Sequence, residues 1–203
     1  MTIGLTGSYC AGKNHISALL QARGFEVLDV DRLGHQALVL EQKTVIATFG
    51  EDILAEDGSI SRKKLGERVF SNPEALRKLE NIIHPAVNKL TEDWISAHED
   101  RDLVVNAALL HRSPVFGHLD MIILVRAPFI TRLCRARKRD KLPLGTLIKR
   151  FASQKDFNSQ YFQKRADIHC IDNRGAFGPF QVLHARGLER RLDSVLARKG
   201  MDR

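Results

Sequence analysis

Short runs of apolar residues, separated by segments with apolar residues at helical spacing, are the first pattern in this chain. Residues 3–6 predict a buried first strand, and Ile16, Leu19 and Leu20 predict the helix that follows it. The remaining apolar runs predict four more strands, at 25–31, 102–110, 121–125 and 168–171. Apolar strands that alternate with helices are typical of a parallel sheet covered on both faces. The pattern therefore predicts an α/β fold with a five-stranded parallel sheet.

Between residues 41 and 98 the strand pattern is absent and the spacing is helical. Asn72-Pro73-Glu74 is typical of a helix start, and a separate later helix is expected to carry Val87 to Ile95. Pro85 is expected to end the helical run between them and to fix the turn that presents His84. A lone histidine is more often a surface or capping residue than a ligand contact, and both interpretations of His84 stay open at this point.

Residues 7–13 spell GxxxxGK between the first predicted strand and its helix. Such a loop binds phosphate because its backbone N–H groups surround the anion, the helix N-terminus faces it, and the lysine reaches the terminal phosphates. A plain strand-to-helix loop is the alternative, although the surrounding pattern favours a phosphate site. Gly7 and Gly12 are expected to permit the turn.

The residue after Lys13 is Asn14, where a phosphate-binding loop normally has a serine or threonine that binds magnesium. The side-chain carbonyl oxygen of asparagine is also a suitable ligand for Mg²⁺, either directly or through water. Asn14 is therefore a candidate Mg²⁺ ligand.

The second predicted strand ends in two carboxylates, Asp29 and Asp31. Ligands of open parallel sheets bind outside the carboxyl ends of the strands, so both are expected beside the phosphate loop, on a strand that neighbours the first. Asp31 could take a proton from an acceptor hydroxyl there, or it could cap the following helix, and the two roles are compatible.

The composition limits the classes of partner. The 203 residues are 43% hydrophobic, with no apolar run of membrane-spanning length and no leader pattern, so we expect a cytoplasmic protein without a membrane partner. The net charge is +8, concentrated in a basic run at 132–141, but aromatic residues are only 6%. This favours a polyphosphate metabolite over nucleic acid. The basic run is either a solvated surface or a lid that closes over a phosphoryl group.

Three scattered cysteines argue against a disulfide framework. Only Cys10 lies in the phosphate loop, near a helix N-terminus where a thiolate is favoured. It is therefore either a reactive thiol or an inert small side chain.

Taken together, several motifs resemble the dephospho-coenzyme A kinase family over nearly the whole length. They are Gly4-Leu5-Thr6-Gly7 with Gly12-Lys13, Asp29-Val30-Asp31, the segment 68–74, His84-Pro85, Leu109-Leu110, Arg135, Arg139-Asp140, Gln154, and 166–175. The resemblance implies a P-loop nucleotide-kinase fold with a helical substrate-binding insertion and a helical lid. It also implies Mg²⁺-dependent transfer of the γ-phosphate of ATP to the ribose 3′-hydroxyl of dephospho-coenzyme A.

The resemblance implies a single kinase domain with its core at 1–31, 100–131 and 166–203, an acceptor-binding region at about 32–99, and a lid at about 132–165. Lys13, Asp31 and Arg139 would be catalytic, and Asp31, His84 and Leu109 would face the acceptor. The implied ATP-binding residues are Gly7, Ser8, Tyr9, Cys10, Ala11, Gly12, Lys13, Asn14, His15, Arg135, Asn173 and Gly175.

The chain departs from the family pattern at two places. Relatives usually have Gly-Gly-Ile-Gly-Ser-Gly-Lys-Ser/Thr in the loop, and an acid shortly after a Pro-Leu-Leu that is Ala108-Leu109-Leu110 here, followed by His111 and Arg112. These departures predict activity with altered metal dependence. The alternatives to an active kinase of this family are a silenced nucleotide-binding relative, another small-molecule P-loop kinase, or a basic nucleic-acid-binding protein.

Overall fold

A computed structural model of the chain describes residues 1–70, 72–108, 110, 113–152, 167–175 and 181–198. The chain divides into two compact units, one of Met1–Leu28 with Asp100–Arg203 and the other of Asp29–Glu99. Several positions singled out in the sequence lie outside the described residues, namely Leu109, His111, Arg112, Gln154 and Ala166.

The first unit is built on a five-stranded parallel sheet, which confirms the predicted fold class. Its strands are β1 (Thr2–Gly7), β2 (Glu26–Asp29), β3 (Leu103–Asn106), β4 (Met121–Arg126) and β5 (Ile168–Asp172), in the order β2-β3-β1-β4-β5. β1 pairs in parallel with both β3 and β4, and β4 pairs in parallel with β5. The loop that follows β1 therefore leaves from the centre of the sheet.

The expectation that β2 neighbours β1 is wrong, because β3 lies between them. Burial gives the physical reason. All residues of β1 except Thr2 are buried, as a central strand requires, whereas β2 has one buried residue among four and suits an edge.

The helices of the described residues are α1 (Lys13–Gln21), α2 (Val30–Leu40), α3 (Gln42–Phe49), α4 (Arg62–Phe70), α5 (Pro73–Ser96), α6 (Phe129–Asp140), α7 (Leu144–Ala152) and α8 (Gln181–Ala197). In the first unit, Ile16 and Leu20 of α1 and Leu188 and Leu192 of α8 pack with the buried strand residues in one apolar core. Among the described helices, none is long and apolar enough to cross a membrane.

The second unit contains α2 to α5 and a short 3₁₀ turn, Glu51–Ile53. Its core is formed by Val45, Phe49, Ile53, Leu65 and Val69, against which apolar residues of α2 and α5 pack. This unit has its own hydrophobic core, as an independent compact unit requires.

The expected helix break at Pro85 is wrong. One helix, α5, runs from Pro73 to Ser96 with Pro85 inside it, and Asn72 caps its start by accepting hydrogen bonds from the N–H groups of Glu74 and Ala75. Proline removes one helical N–H, but Ile82 and Ile83, three and two residues before it, pack on the core of the second unit. Tertiary packing therefore keeps the helix continuous at a position where local propensity disfavours it.

Candidate functional site

The predicted strand, loop and helix are present at residues 2–21. β1 ends at Gly7, α1 begins at Lys13, and the N–H of Ala11 donates to the carbonyl oxygen of Ser8 at 2.9 Å to close a turn between them. Gly12 caps α1 with a φ of 97°. The N-terminus of a helix such as α1 carries partial positive charge, as an anion site requires.

The two glycines of the loop are required for different reasons. Gly12 has the left-handed conformation that the turn was expected to need. Gly7 does not, but a Cβ at Gly7 would lie 2.7 Å from the carbonyl oxygen of Val125, so the close approach of β4 demands glycine. The other left-handed residue of the loop is Cys10, at a φ of 59°.

Arg135 of α6 and Asn173, just after β5, bind the carbonyl oxygens of the loop. The carbonyl oxygen of Ala11 accepts hydrogen bonds from Nη1 of Arg135 and Nδ2 of Asn173, both at 3.0 Å. Nη1 of Arg135 also lies 3.4 Å from the carbonyl oxygen of Cys10, and its Nη2 donates to Oδ1 of Asn173 at 3.1 Å. The carbonyl of Ala11 and the N–H of Gly12 belong to one planar, trans peptide group and therefore point in opposite directions. The N–H of Gly12 thus points away from Arg135 and Asn173, as an amide that binds phosphate must.

Three arginines of the basic run lie on one face of α6, at spacings of three and four residues: Arg132, Arg135 and Arg139. Burial lowers the pKa of Arg132 and of Arg135 from the usual arginine value, and the nearby Cys10 partly offsets this. The Arg132 guanidinium stacks on Phe151 at 5.1 Å, and within the described residues its buried Nε has no hydrogen-bond acceptor. This face of α6 therefore concentrates positive charge beside the loop.

Arg139, predicted to be catalytic, lies at the end of α6 with its side chain 60% exposed. It bonds Asp140 and stacks over the ring of Tyr9, so it is close to the loop. Among the other predicted ATP-binding residues, Ser8 and Lys13 are half-buried, Asn14 and His15 are exposed on the first turn of α1, and Gly175 lies beside Arg135 with a φ of 74°.

Cys10 has an environment that opposes thiolate formation. Burial raises the pKa of the Cys10 thiol, although Arg139, Arg135 and Arg132 act in the opposite direction. Of the two interpretations of this cysteine, the raised pKa favours the inert side chain.

Alkylation rates test this assignment. At about pH 7.5 we expect iodoacetamide to modify Cys10 roughly tenfold more slowly than the exposed Cys134, because little of a partly buried thiol with a raised pKa is ionised. The rate at Cys10 should keep rising above about pH 9.5, where an ordinary thiol with a pKa of about 8.5 is already mostly ionised. Peptide mass spectrometry measures both sites in the same sample, and faster modification of Cys10 than of Cys134 would contradict the assignment.

The two predicted residues of the second unit lie on different helices. α2 begins at Val30, and its cap is Asp29, whose Oδ1 accepts from the N–H of Asp31 at 3.2 Å. Asp31 lies in the first turn with an exposed side chain, so the expectation that it caps the helix is wrong. His84 is exposed on α5.

Sequence reasoning missed the part that Tyr9 and Asp140 play. The Tyr9 hydroxyl donates to Oδ2 of Asp140, and its ring packs against Phe151 of α7. The one available signal was the bulky aromatic residue inside a glycine-type loop, a position where a side chain must have a neighbouring surface to pack on.

These features define a class. A central parallel strand that leads through a glycine-containing loop into a helix that begins at lysine, with a basic helix beside the loop, is the arrangement of P-loop kinases.

The comparisons narrow the class to one family. The family model described as dephospho-CoA kinase matches residues 1–177, and the dephospho-CoA kinase of Treponema denticola is 35% identical over 181 residues, 84% of this chain and 81% of the relative. The chain therefore belongs to the dephospho-CoA kinase family.

Two solved structures are similar along almost their whole length. The Thermus thermophilus protein TT1252 is 31% identical with a TM-score of 0.78, covering 98% of this chain and 97% of its own. Dephospho-CoA kinase from Campylobacter jejuni is 26% identical with a TM-score of 0.60, covering 94% and 96%. The likeness includes both compact units, since it extends over nearly the entire chain.

Proposed function

We propose that this chain transfers the γ-phosphate of ATP to the ribose 3′-hydroxyl of dephospho-coenzyme A, which gives coenzyme A in the cytoplasm. The main support for the proposal is that Arg135 and Asn173 donate hydrogen bonds to carbonyl oxygens of the loop. With these carbonyls held on one side, the N–H of Gly12 and the start of α1 are left for the triphosphate. Phosphoryl transfer depends mainly on such positioning and charge stabilisation.

Each candidate residue has a defined part in this proposal. Lys13 binds the terminal phosphates, and Arg139 neutralises the charge that develops during transfer. Asn173 and Gly175 form the adenine side, where Asn173 is only 4% exposed and already fixes the loop. Arg135 contributes to ATP binding through the loop carbonyls that it holds in place.

Asp31 accepts the proton of the acceptor hydroxyl or orients that hydroxyl for attack. The Asp29-Val30-Asp31 motif supports this role, because it is one of the motifs that the chain shares with the dephospho-CoA kinase family, whose model matches residues 1–177. His84 and Leu109 bind the acceptor, and the exposed position of His84 on α5 is suited to a ligand contact.

The residues present are compatible with a magnesium ion that arrives with ATP. Within the described ranges, no group of three or more His, Cys, Asp or Glu side chains could hold a metal. Mg²⁺ needs no such group in kinases, because it is usually bound through one or two protein oxygens together with substrate phosphates and water. When bound, the ion would neutralise negative charge on the phosphates of ATP. Asn14, exposed on the first turn of α1, offers the protein oxygen.

An acceptor panel tests the proposed function. Purified protein is mixed with ATP, Mg²⁺ and, in separate reactions, dephospho-coenzyme A, shikimate or nucleoside monophosphates. Of these acceptors, we expect only dephospho-coenzyme A to cause ADP release. The product of that reaction should carry one additional phosphate on the ribose. Tight binding of dephospho-coenzyme A by calorimetry without ADP release would instead support a silenced relative, an alternative that the exchange of Ser/Thr for Asn14 motivates.

Replacement of Asn14 tests the metal assignment. We expect Asn14→Ala to raise the Mg²⁺ concentration for half-maximal activity by roughly three- to tenfold, since one oxygen ligand is lost, and Asn14→Ser to lower it. Calorimetry gives an independent measurement, in which the gain in ATP affinity on adding Mg²⁺ should shrink in Asn14→Ala. An unchanged magnesium requirement in Asn14→Ala would contradict a ligand role for this residue.

A further inference from the structure

Tyr9 connects the phosphate loop to two helices at once. Its hydroxyl donates a hydrogen bond to Oδ2 of Asp140, the last residue of α6. Its ring meets Phe151 of α7 edge to face, with the ring centroids 5.2 Å apart. The hairpin of α6 and α7 is therefore attached to the loop by one side chain through both a polar and an apolar contact.

The mostly buried carboxylate of Asp140 accepts hydrogen bonds from several side chains. Its side chain is 15% exposed and accepts from Nε of Arg139 at 2.7 Å and from Nη2 at 3.3 Å, while Nη1 of Arg150 lies 3.6 Å from Oδ2. Together with Tyr9, these side chains form a cluster that we call the Asp140 cluster: Tyr9, Arg139, Asp140 and Arg150. A carboxylate with this many donors has a well-defined position.

Arg139 needs such support to stay near the loop. Consecutive residues on a helix do not face each other, so the bond between Arg139 and Asp140 requires the arginine side chain to turn back over the end of α6. An exposed ion pair alone would hold that conformation only weakly. The ring of Tyr9 lies beneath the guanidinium, with Cζ of Arg139 5.1 Å from the ring centroid, and favours the turned-back conformation.

We propose that Tyr9 is a positioning residue that holds the α6–α7 hairpin against the phosphate loop and, through Asp140, sets the position of Arg139. This deepens the proposed function and rests on it for the role of Arg139. The Tyr9 hydroxyl distinguishes this residue from an aliphatic one, because an aliphatic side chain in the loop would pack on Phe151 but could not bind Asp140. Tyr9 thus restricts the loop backbone more than a glycine would, and its side chain holds the α6–α7 hairpin against the loop.

A double-mutant cycle tests the proposal, using Tyr9→Phe, Asp140→Asn and the double variant. Tyr9→Phe keeps the ring and removes only the bond to the carboxylate. We expect the amides of α6 and α7 to exchange with deuterium roughly tenfold faster in Tyr9→Phe than in the unmodified protein. In the Asp140→Asn background the same change should have less than about half this effect, because the charged acceptor is already gone.

Kinetics provide the second readout. Tyr9→Phe is expected to lower kcat by about three- to tenfold with a KM for dephospho-coenzyme A that changes less than about twofold, since Arg139 is displaced and acceptor contacts are not. A change that only loosened the fold would not be expected to separate kcat from KM in this way.

Thr131→Val is the matched control, since it removes another hydroxyl that bonds α6 to a separate segment: the Thr131 hydroxyl donates to the carbonyl oxygen of Arg174 at 2.8 Å. Its effect on exchange should add to that of Asp140→Asn. Unchanged exchange in Tyr9→Phe, or additivity of Tyr9→Phe with Asp140→Asn, would overturn the proposal. If the unmodified protein transferred no phosphate to dephospho-coenzyme A, the proposed function would fail, and the exchange measurements would still decide whether Tyr9 holds the hairpin.

Discussion

Asp31→Asn is expected to lower kcat by roughly 10²- to 10⁴-fold, the range over which a positioned acid or base contributes to catalysis. Asparagine has nearly the same shape and keeps a hydrogen-bonding side chain, but its amide cannot accept the proton of the acceptor hydroxyl. ATP affinity should change by less than about threefold, because the loop, Arg135 and Asn173 that hold the triphosphate site are untouched. Steady-state kinetics with dephospho-coenzyme A, together with ATP calorimetry, measure both quantities.

Asp29→Asn is the matched control for the loss of one negative charge. Asp29 caps α2 through Oδ1, and asparagine is as good a cap as aspartate, so the start of α2 should be preserved. We expect its effect on kcat to be at least about tenfold smaller than that of Asp31→Asn. Equal losses in the two variants would assign the effect to charge rather than to a base, and normal turnover of Asp31→Asn would show that the base lies elsewhere.

The sheet and the phosphate loop were predictable because their signals are local. A strand such as β4, with five consecutive buried residues, is a continuous apolar run, and Gly12 with Lys13 marks the loop at fixed spacing. The left-handed φ at Gly12 follows from the same local chemistry. Local signals of this kind need no knowledge of what the chain packs against.

The remaining features depend on contacts between distant segments. The spatial order of the strands, with β3 between β2 and β1, is not encoded in any one strand. Pro85 stays helical because of packing on the core of the second unit, which overrides its local preference. Arg135 could be recognised as a cation in a basic helix, but its bonds to loop carbonyls 124 and 125 residues away in the chain could not.

Gly12→Ala is the second change with a large expected effect, because two separate requirements for glycine meet at this position. At a φ of 97° an alanine pays about 1–2 kcal/mol for the left-handed conformation. Its Cβ would also lie 2.1 Å from Nδ2 of Asn173, a buried amide that cannot stay where it is. Displacing that amide breaks its bonds to Ala11 and Arg135, so we expect a total loss of roughly 3 kcal/mol in the free energy of unfolding.

Gly187→Ala in α8 is the appropriate control, since no atom of another described element lies within 4 Å of the added Cβ and the change should stabilise the helix by up to about 1 kcal/mol. Denaturant unfolding measures both variants, and calorimetry should show ATP affinity falling in Gly12→Ala alone. Asn173→Ala removes the clashing amide, so adding Gly12→Ala to it should cost less than Gly12→Ala costs by itself. A Gly12→Ala variant as stable as Gly187→Ala would mean that the loop can adopt another conformation, and the assignment of Arg135 and Asn173 as its supports would then be wrong.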